Sequence, residues 1–185
     1  EIAQCLVGSE MCIRDRIKEE GGTTTPETGV KTIDVKTAGT LSTLVGTDKF
    51  NLTEIKVTGD INSSDILCLR EMAGRNQNNG ETSGKLVSLD LSGANIVAGG
   101  EYYYKNSTAN LEFTTTANII SEYMFDHCKL ESFVFPATAT AIEGGAFGSC
   151  YNLKGTLTIP DNITRIGNYA FEACVSLEHV VLPAT

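Results

Sequence analysis

The 185 residues carry a formal charge of −9 and a pI near 4.7, with two histidines and no tryptophan. An acidic chain lacks the basic face that nucleic-acid phosphates require, and two histidines leave little room for His-based metal or acid–base chemistry. No run of about 18 apolar residues occurs, so no transmembrane helix is expected; the length allows one domain with a real core.

The opening stretch, EIAQCLVGSEMCIRDR, stands apart. Cys5 to Arg16 can be back-translated into a transposon-type sequencing-library adapter read in frame. The stretch ends in Arg-Asp-Arg and has no apolar segment long enough for a signal peptide. Residues 1–16 are therefore set aside as a translated adapter, which places the native start elsewhere. Four cysteines then remain: Cys68, Cys128, Cys150 and Cys174.

Residues 17–38 include EEGGTTTPETG, polar and without apolar periodicity, and read as a linker. Residues 39–115 read as an N-terminal cap and lead-in repeats with an insert loop. Thr40 is placed to cap a short helix through Leu41, Leu44 and Val45. Thr53 to Gly59 alternates apolar and polar residues, as a half-buried strand does. Ser63 or Ser64 is expected to cap a helix through Ala73, with Ile66, Leu69 and Met72 on one face and Gly74 as its stop. Asp65 falls in its first turn, where the helix dipole favours an anion. Leu86 to Leu91 is the next strand. Strand, helix and strand in this order predict a right-handed crossover onto a parallel neighbour.

Beyond residue 116 the chain repeats itself. Three units align: Ile119 to Pro136, Thr140 to Pro160 and Thr164 to Pro183. Phe125, Phe147 and Phe171 recur at spacings of 22 and 24, and Cys128, Cys150 and Cys174 at the same spacings. So short a period cannot form an independent domain. Each unit must bury its apolar side against the next, which predicts a solenoid. Phe133, Leu157 and Val180 are expected in short strands stacked as a parallel ladder, each ended by a proline. Ile142 and Ile166 would anchor the return path, and Gly144 and Gly167 a tight bend. The chain stops at Val181-Leu182-Pro183-Ala184-Thr185, where another unit is due, so further repeats are expected downstream.

The pattern Ile166-Gly167, Ala170-Phe171, Cys174, Leu177, Leu182-Pro183 resembles the BspA-type, or treponemal-type, leucine-rich repeat. The first unit is degenerate, with Met124 in place of alanine and one residue missing after Cys128. Upstream, Asp65-Ile66, Arg70 to Gly74 and Leu89 to Ala94 resemble the leading region of Bacteroides-type members. The resemblance implies an α/β fold: a leucine-rich-repeat solenoid with short parallel strands and mostly loop or short-helix returns, behind a strand–helix–strand cap. It also implies a secreted or cell-surface protein, non-enzymatic, whose partner is an extracellular or host protein. The rival reading is a structural spacer carrying a distal catalytic or glycan-binding domain.

Stacked strands lie about 4.8 Å apart, which brings Cys128, Cys150 and Cys174 together. A packed thiol ladder is favoured over a disulfide or soft-metal site, because side chains in a ladder point in parallel and a disulfide needs converging Cβ vectors. His127 and His179 are assigned solvent-facing or structural roles. Gly80 to Lys85, GETSGK, falls one residue short of a phosphate loop, and Leu86 replaces the required Ser or Thr. No cofactor or metal is expected. The insert Gly99 to Asn106 is the best binding candidate: Tyr102, Tyr103 and Tyr104 offer contact area with a polar tip on a loop freed by glycines. The plainer alternative is that its rings cover an open side of the core. Four Asn-x-Ser/Thr sequences, at Asn51, Asn62, Asn106 and Asn162, are ascribed to composition.

Overall fold

The computed structural model describes residues 30–183. In chain order the strands are β1 (Lys31–Val35), β2 (Glu54–Ile61), β3 (Ser88–Ile96), β4 (Gly99–Asn106), β5 (Leu111–Thr115), β6 (Ile119–Ile120), β7 (Ser132–Val134), β8 (Ala141–Ile142), β9 (Gly155–Thr158), β10 (Arg165–Ile166) and β11 (Leu177–Val181). Helix α1 spans Leu41–Val45 and runs into a 3-10 turn, Gly46–Phe50; helix α2 spans Ser63–Met72.

One parallel sheet has the order β1-β2-β3-β7. Its register places Ile33 beside Val57, Ile55 beside Leu89, and Leu89 beside Phe133. Alternation sends these apolar side chains to one face, where all of them are buried. The linker expectation for residues 17–38 is corrected at its far end, because Lys31–Val35 is β1. Ile33 and Val35 alternate inward there and pair with a strand more than twenty residues on. Residues 1–16, set aside from the sequence, lie outside the described residues.

Helix α2 starts one residue before the expected serine cap. Asn62 is the N-cap: its side chain accepts from the Ser64 N–H at 3.0 Å, and Asp65 accepts from the Asn62 N–H at 2.9 Å. This reciprocal pair satisfies two of the helix's free donors. Asp65 also accepts from the N–H of Gly39 at 2.5 Å and of Leu41 at 2.9 Å, so one buried carboxylate ties α2 to the start of α1. Thr40 precedes α1 but does not cap it with its side chain; its hydroxyl donates to the Thr37 carbonyl.

The three repeats stack along two strand ladders. On one side β6, β8 and β10 run parallel, with Ile120 beside Ile142 and Ile142 beside Ile166. On the other, β11 pairs parallel with β9, and β9 is joined to β7 by the Lys154 N–H donating to the Glu131 carbonyl at 3.1 Å. The expected positions of Phe133, Leu157 and Val180 are thus met: each lies in one of these strands. Gly144 and Gly167 do not have left-handed backbones. Gly167 is needed for closeness instead: a Cβ there would sit 2.5 Å from the Gly144 backbone nitrogen of the preceding repeat.

The insert after β3 is a hairpin rather than a loop, since β4 and β5 pair antiparallel, with Tyr104 opposite Phe113. Among the described residues no helix is long and apolar enough to cross a membrane.

Candidate functional site

The recurring Phe and Cys lie on a compact double turn. In each repeat the residue two before the Phe and the residue two after it have left-handed backbones: Tyr123 and His127, Gly145 and Ser149, Tyr169 and Ala173, with φ between 53° and 62°. These turns aim main-chain donors at the following repeat. The N–H groups of Tyr123, Phe125 and His127 donate to the carbonyls of Gly144, Ala146 and Gly148; those of Gly145, Phe147 and Ser149 donate to Asn168, Ala170 and Glu172. The bonds from Phe125, His127, Phe147 and Ser149 are 2.7 or 2.8 Å long. Such a ladder answers where the turns' buried backbone groups find partners.

Inside the turns the rings stack. Phe125 and Phe147 lie 5.6 Å apart at 22°, and Phe147 and Phe171 lie 5.4 Å apart at 10°. Phe125 and Phe147 are fully buried, while Phe171 is half-buried. Phe133 meets Phe147 edge-on at 4.9 Å and closes the column from the strand side.

The thiols run beside the rings. Cys128, Cys150 and Cys174 are free and buried. The Cys150 S–H donates to the Phe125 carbonyl at 3.1 Å and the Cys174 S–H to the Phe147 carbonyl at 3.2 Å, each reaching back one repeat. Burial pushes the Cys128 thiol up to about 11 and raises Cys150 well above the ordinary value; Cys174 is raised less. Thiolate is the nucleophile and the metal ligand, so such groups are held in their inert form. Cys68, buried on α2, is likewise pushed up to about 11 by burial. Among the described residues no group of three or more His, Cys, Asp or Glu is placed to hold a metal ion.

The three tyrosines of the insert divide. Tyr103 is fully buried, and its hydroxyl donates to the Glu122 carbonyl at 2.6 Å. Its phenol is pushed up by burial. Tyr104 is half-buried between Phe113, at 5.6 Å, and Tyr123, at 5.4 Å. Tyr102 lies half-buried under the Lys105 ammonium. Of the three candidate binding tyrosines, Tyr103 is thus turned into the core, in keeping with the alternative that rings of the insert cover the core: pairing with β5 makes the segment a strand, and strand alternation buries its middle ring.

Sequence reasoning missed Arg70. This arginine on α2 is fully buried, under the Tyr104 ring at 5.3 Å. Its Nη1 donates to the Tyr123 and Met124 carbonyls at 2.9 and 3.1 Å, and its Nη2 to Asn79 Oδ1 at 2.6 Å. Asn79 in turn donates to Asp126 at 2.7 Å. The arginine thereby joins the cap to the first aligned repeat. Of the histidines, His179 is exposed on β11, and His127 is half-buried with its ring edge-on to Tyr151.

Tyr151, Tyr169 and Val175 are 51%, 71% and 76% exposed, whereas every recurring Phe and Cys is buried or half-buried. A face of this kind can bind.

Parallel short strands, a recurring ring-and-thiol turn and main-chain bonds between successive units define a leucine-rich-repeat type of protein. The model of the BspA type leucine rich repeat region matches residues 83–185 in six copies, and the chain belongs to that family. The match begins upstream of the three units that align readily, and takes in β3, whose Leu89 lies beside Phe133. No curated protein matches the chain.

Proposed function

We propose that the chain is part of a secreted or cell-surface solenoid that binds another protein and performs no catalysis, with adhesion to a host or extracellular protein as its role. The observation that carries this reading is that the recurring Phe and Cys are buried or half-buried, while Tyr151 and Val175, different residues at matching positions of successive repeats, face outward. A scaffold with fixed backbone ladders and a free outer surface suits recognition, as function on repeat folds resides in grafted surfaces. Membership of the BspA-type family supports surface association.

The test joins location to attachment. Antibodies against residues 83–185 should label intact producing cells, and protease added outside should remove the label. Purified chain should compete with those cells for attachment to host-cell layers. Label found only after permeabilisation, together with no competition, would overturn the proposal.

A further inference from the structure

One depression on this acidic molecule is lined by cations. Arg75, His127, Lys129, Ser149, Tyr151 and Asn152 surround a cavity of about 210 Å³ with Cys128 at its back. Two repeats build it, because the His127 N–H donates to the Gly148 carbonyl and so sets the residues after Cys128 beside those around Cys150. Arg75, just beyond α2, forms the third wall. Its Nε donates to the His127 carbonyl and its Nη1 to the Asn79 carbonyl, both at 3.1 Å, so the guanidinium is fixed before any ligand arrives.

The remaining donors point to an anion. Nη2 of Arg75 makes no hydrogen bond among the described residues; its nearest carboxylate, Glu81, is 3.7 Å away on a side chain 71% exposed. Lys129 has its N–H bonded to the Ala73 carbonyl and its stem against Gly74, and among the described residues its ammonium is in no ion pair. Asp126 is engaged by Asn79 at 2.7 Å and lies 2.9 Å from His127 Nδ1, off-axis for a hydrogen bond. The volume falls below the range of about 300–1,000 Å³ common for small-molecule sites, and suits one side chain. A fixed guanidinium beside an ammonium is suited to a carboxylate. Tyr151 on the rim, with Val175 at the matching position of the next repeat, continues the site as an exposed apolar column.

We infer that this depression receives the carboxylate of a Glu or Asp side chain from an extended acidic segment of the partner protein, with an adjoining apolar residue laid on Tyr151 and Val175. The inference rests on the protein-binding reading and gives that partner a chemistry. The chain's net charge repels acidic partners at a distance, but salt screens that field within about 8 Å. Recognition is therefore confined to a segment that seats in the pocket.

The test uses the full chain, labelled with 15N, titrated with the blocked hexapeptide Glu-Leu-Glu-Val-Glu-Leu, with its Gln-for-Glu counterpart, and with inorganic phosphate. Amide shifts should centre on Lys129, Ser149 and Tyr151, and the Gln peptide should bind at least about tenfold more weakly. Lys129→Met, which keeps the stem over Gly74, and Tyr151→Ala should each weaken the acidic peptide by about tenfold. Lys154→Met should change nothing, since Lys154 pairs with Glu131 outside the pocket. Equal binding of both peptides, shifts centred elsewhere, or phosphate reproducing the peptide's shifts at equal affinity would overturn the inference. None of these results touches the attachment and labelling test, so failure here leaves the scaffold reading standing.

Discussion

Ala173 occupies a left-handed backbone, φ 55°, without the freedom of glycine. A Cβ in that region costs about 1 kcal/mol or more, offset in part by the entropy glycine loses on folding. Ala173→Gly is therefore expected to stabilise the fold by about 0.5–1 kcal/mol, read as a higher urea midpoint at unchanged slope. Gly145→Ala should do the reverse, since a Cβ would sit 2.7 Å from the Tyr123 ring. The thiols give a pH dependence. Folding favours the neutral form of Cys68 and Cys128, so their folded values, about 11, lie above the ordinary 9.0. Their contribution is whole below pH 9 and is lost as pH rises from there through 11. The limiting slope is about 1.4 kcal/mol per thiol per pH unit. Unfolding at pH 8, 9.5 and 10.5 should show that fall, and Cys128→Ala should make it shallower. Both ring and thiol columns were legible from spacing, because one period repeats the same environment. Arg70 was not, and for Tyr103 only the alternative of a ring covering the core was. Nothing local marks a charged side chain as core when its partners, the Tyr123 and Met124 carbonyls, come from a distant segment.

At the scale of elements, the start of α2 holds the cap together. Asp65 accepts three main-chain N–H bonds, from Asn62, Gly39 and Leu41, while fully buried. Asp65→Asn keeps the shape but replaces one acceptor oxygen with a donor that faces other donors. A loss of about 2–4 kcal/mol is expected in chemical unfolding, with Gly39 and Leu41 amides losing protection first. Loss below about 0.5 kcal/mol would show that these bonds are replaceable by water. The helix was readable from its apolar spacing, but its cap was assigned to Ser63 or Ser64 because serine and asparagine are equally good caps and three stand in a row. Strand β1 was hidden for a different reason. Two inward residues, Ile33 and Val35, are too few to show a period beside a Gly- and Thr-rich stretch, and the strand owes its order to pairing with β2.

Across the whole molecule, stability should be graded rather than uniform. Each repeat is held by the next through main-chain bonds and ring stacking, the nearest-neighbour arrangement of repeat proteins. Phe125 and Phe147 are covered on both sides, whereas Phe171 is half-buried and Ile166, Val180 and Val181 are 40%, 41% and 48% exposed. Hydrogen exchange on this chain should therefore find the amides of Phe125 and Phe147 at least about tenfold slower than those of Glu172 and Cys174. Equal protection in all three repeats would show that the stack opens as one unit. Ile142→Ala should speed exchange in the repeats on both sides of it, since Ile142 lies beside both Ile120 and Ile166.

The turn ladder joins main chain to main chain: none of the bonds from Phe125, His127, Phe147 or Ser149 to the next repeat uses a side chain. The outward side chains at Tyr151, Tyr169 and Val175 therefore owe little to folding. Mutation there is close to neutral for the scaffold, so a lineage can exchange its surface one position at a time without passing through an unfolded intermediate. The ladder that joins the repeats is also what leaves their outer surface free to vary.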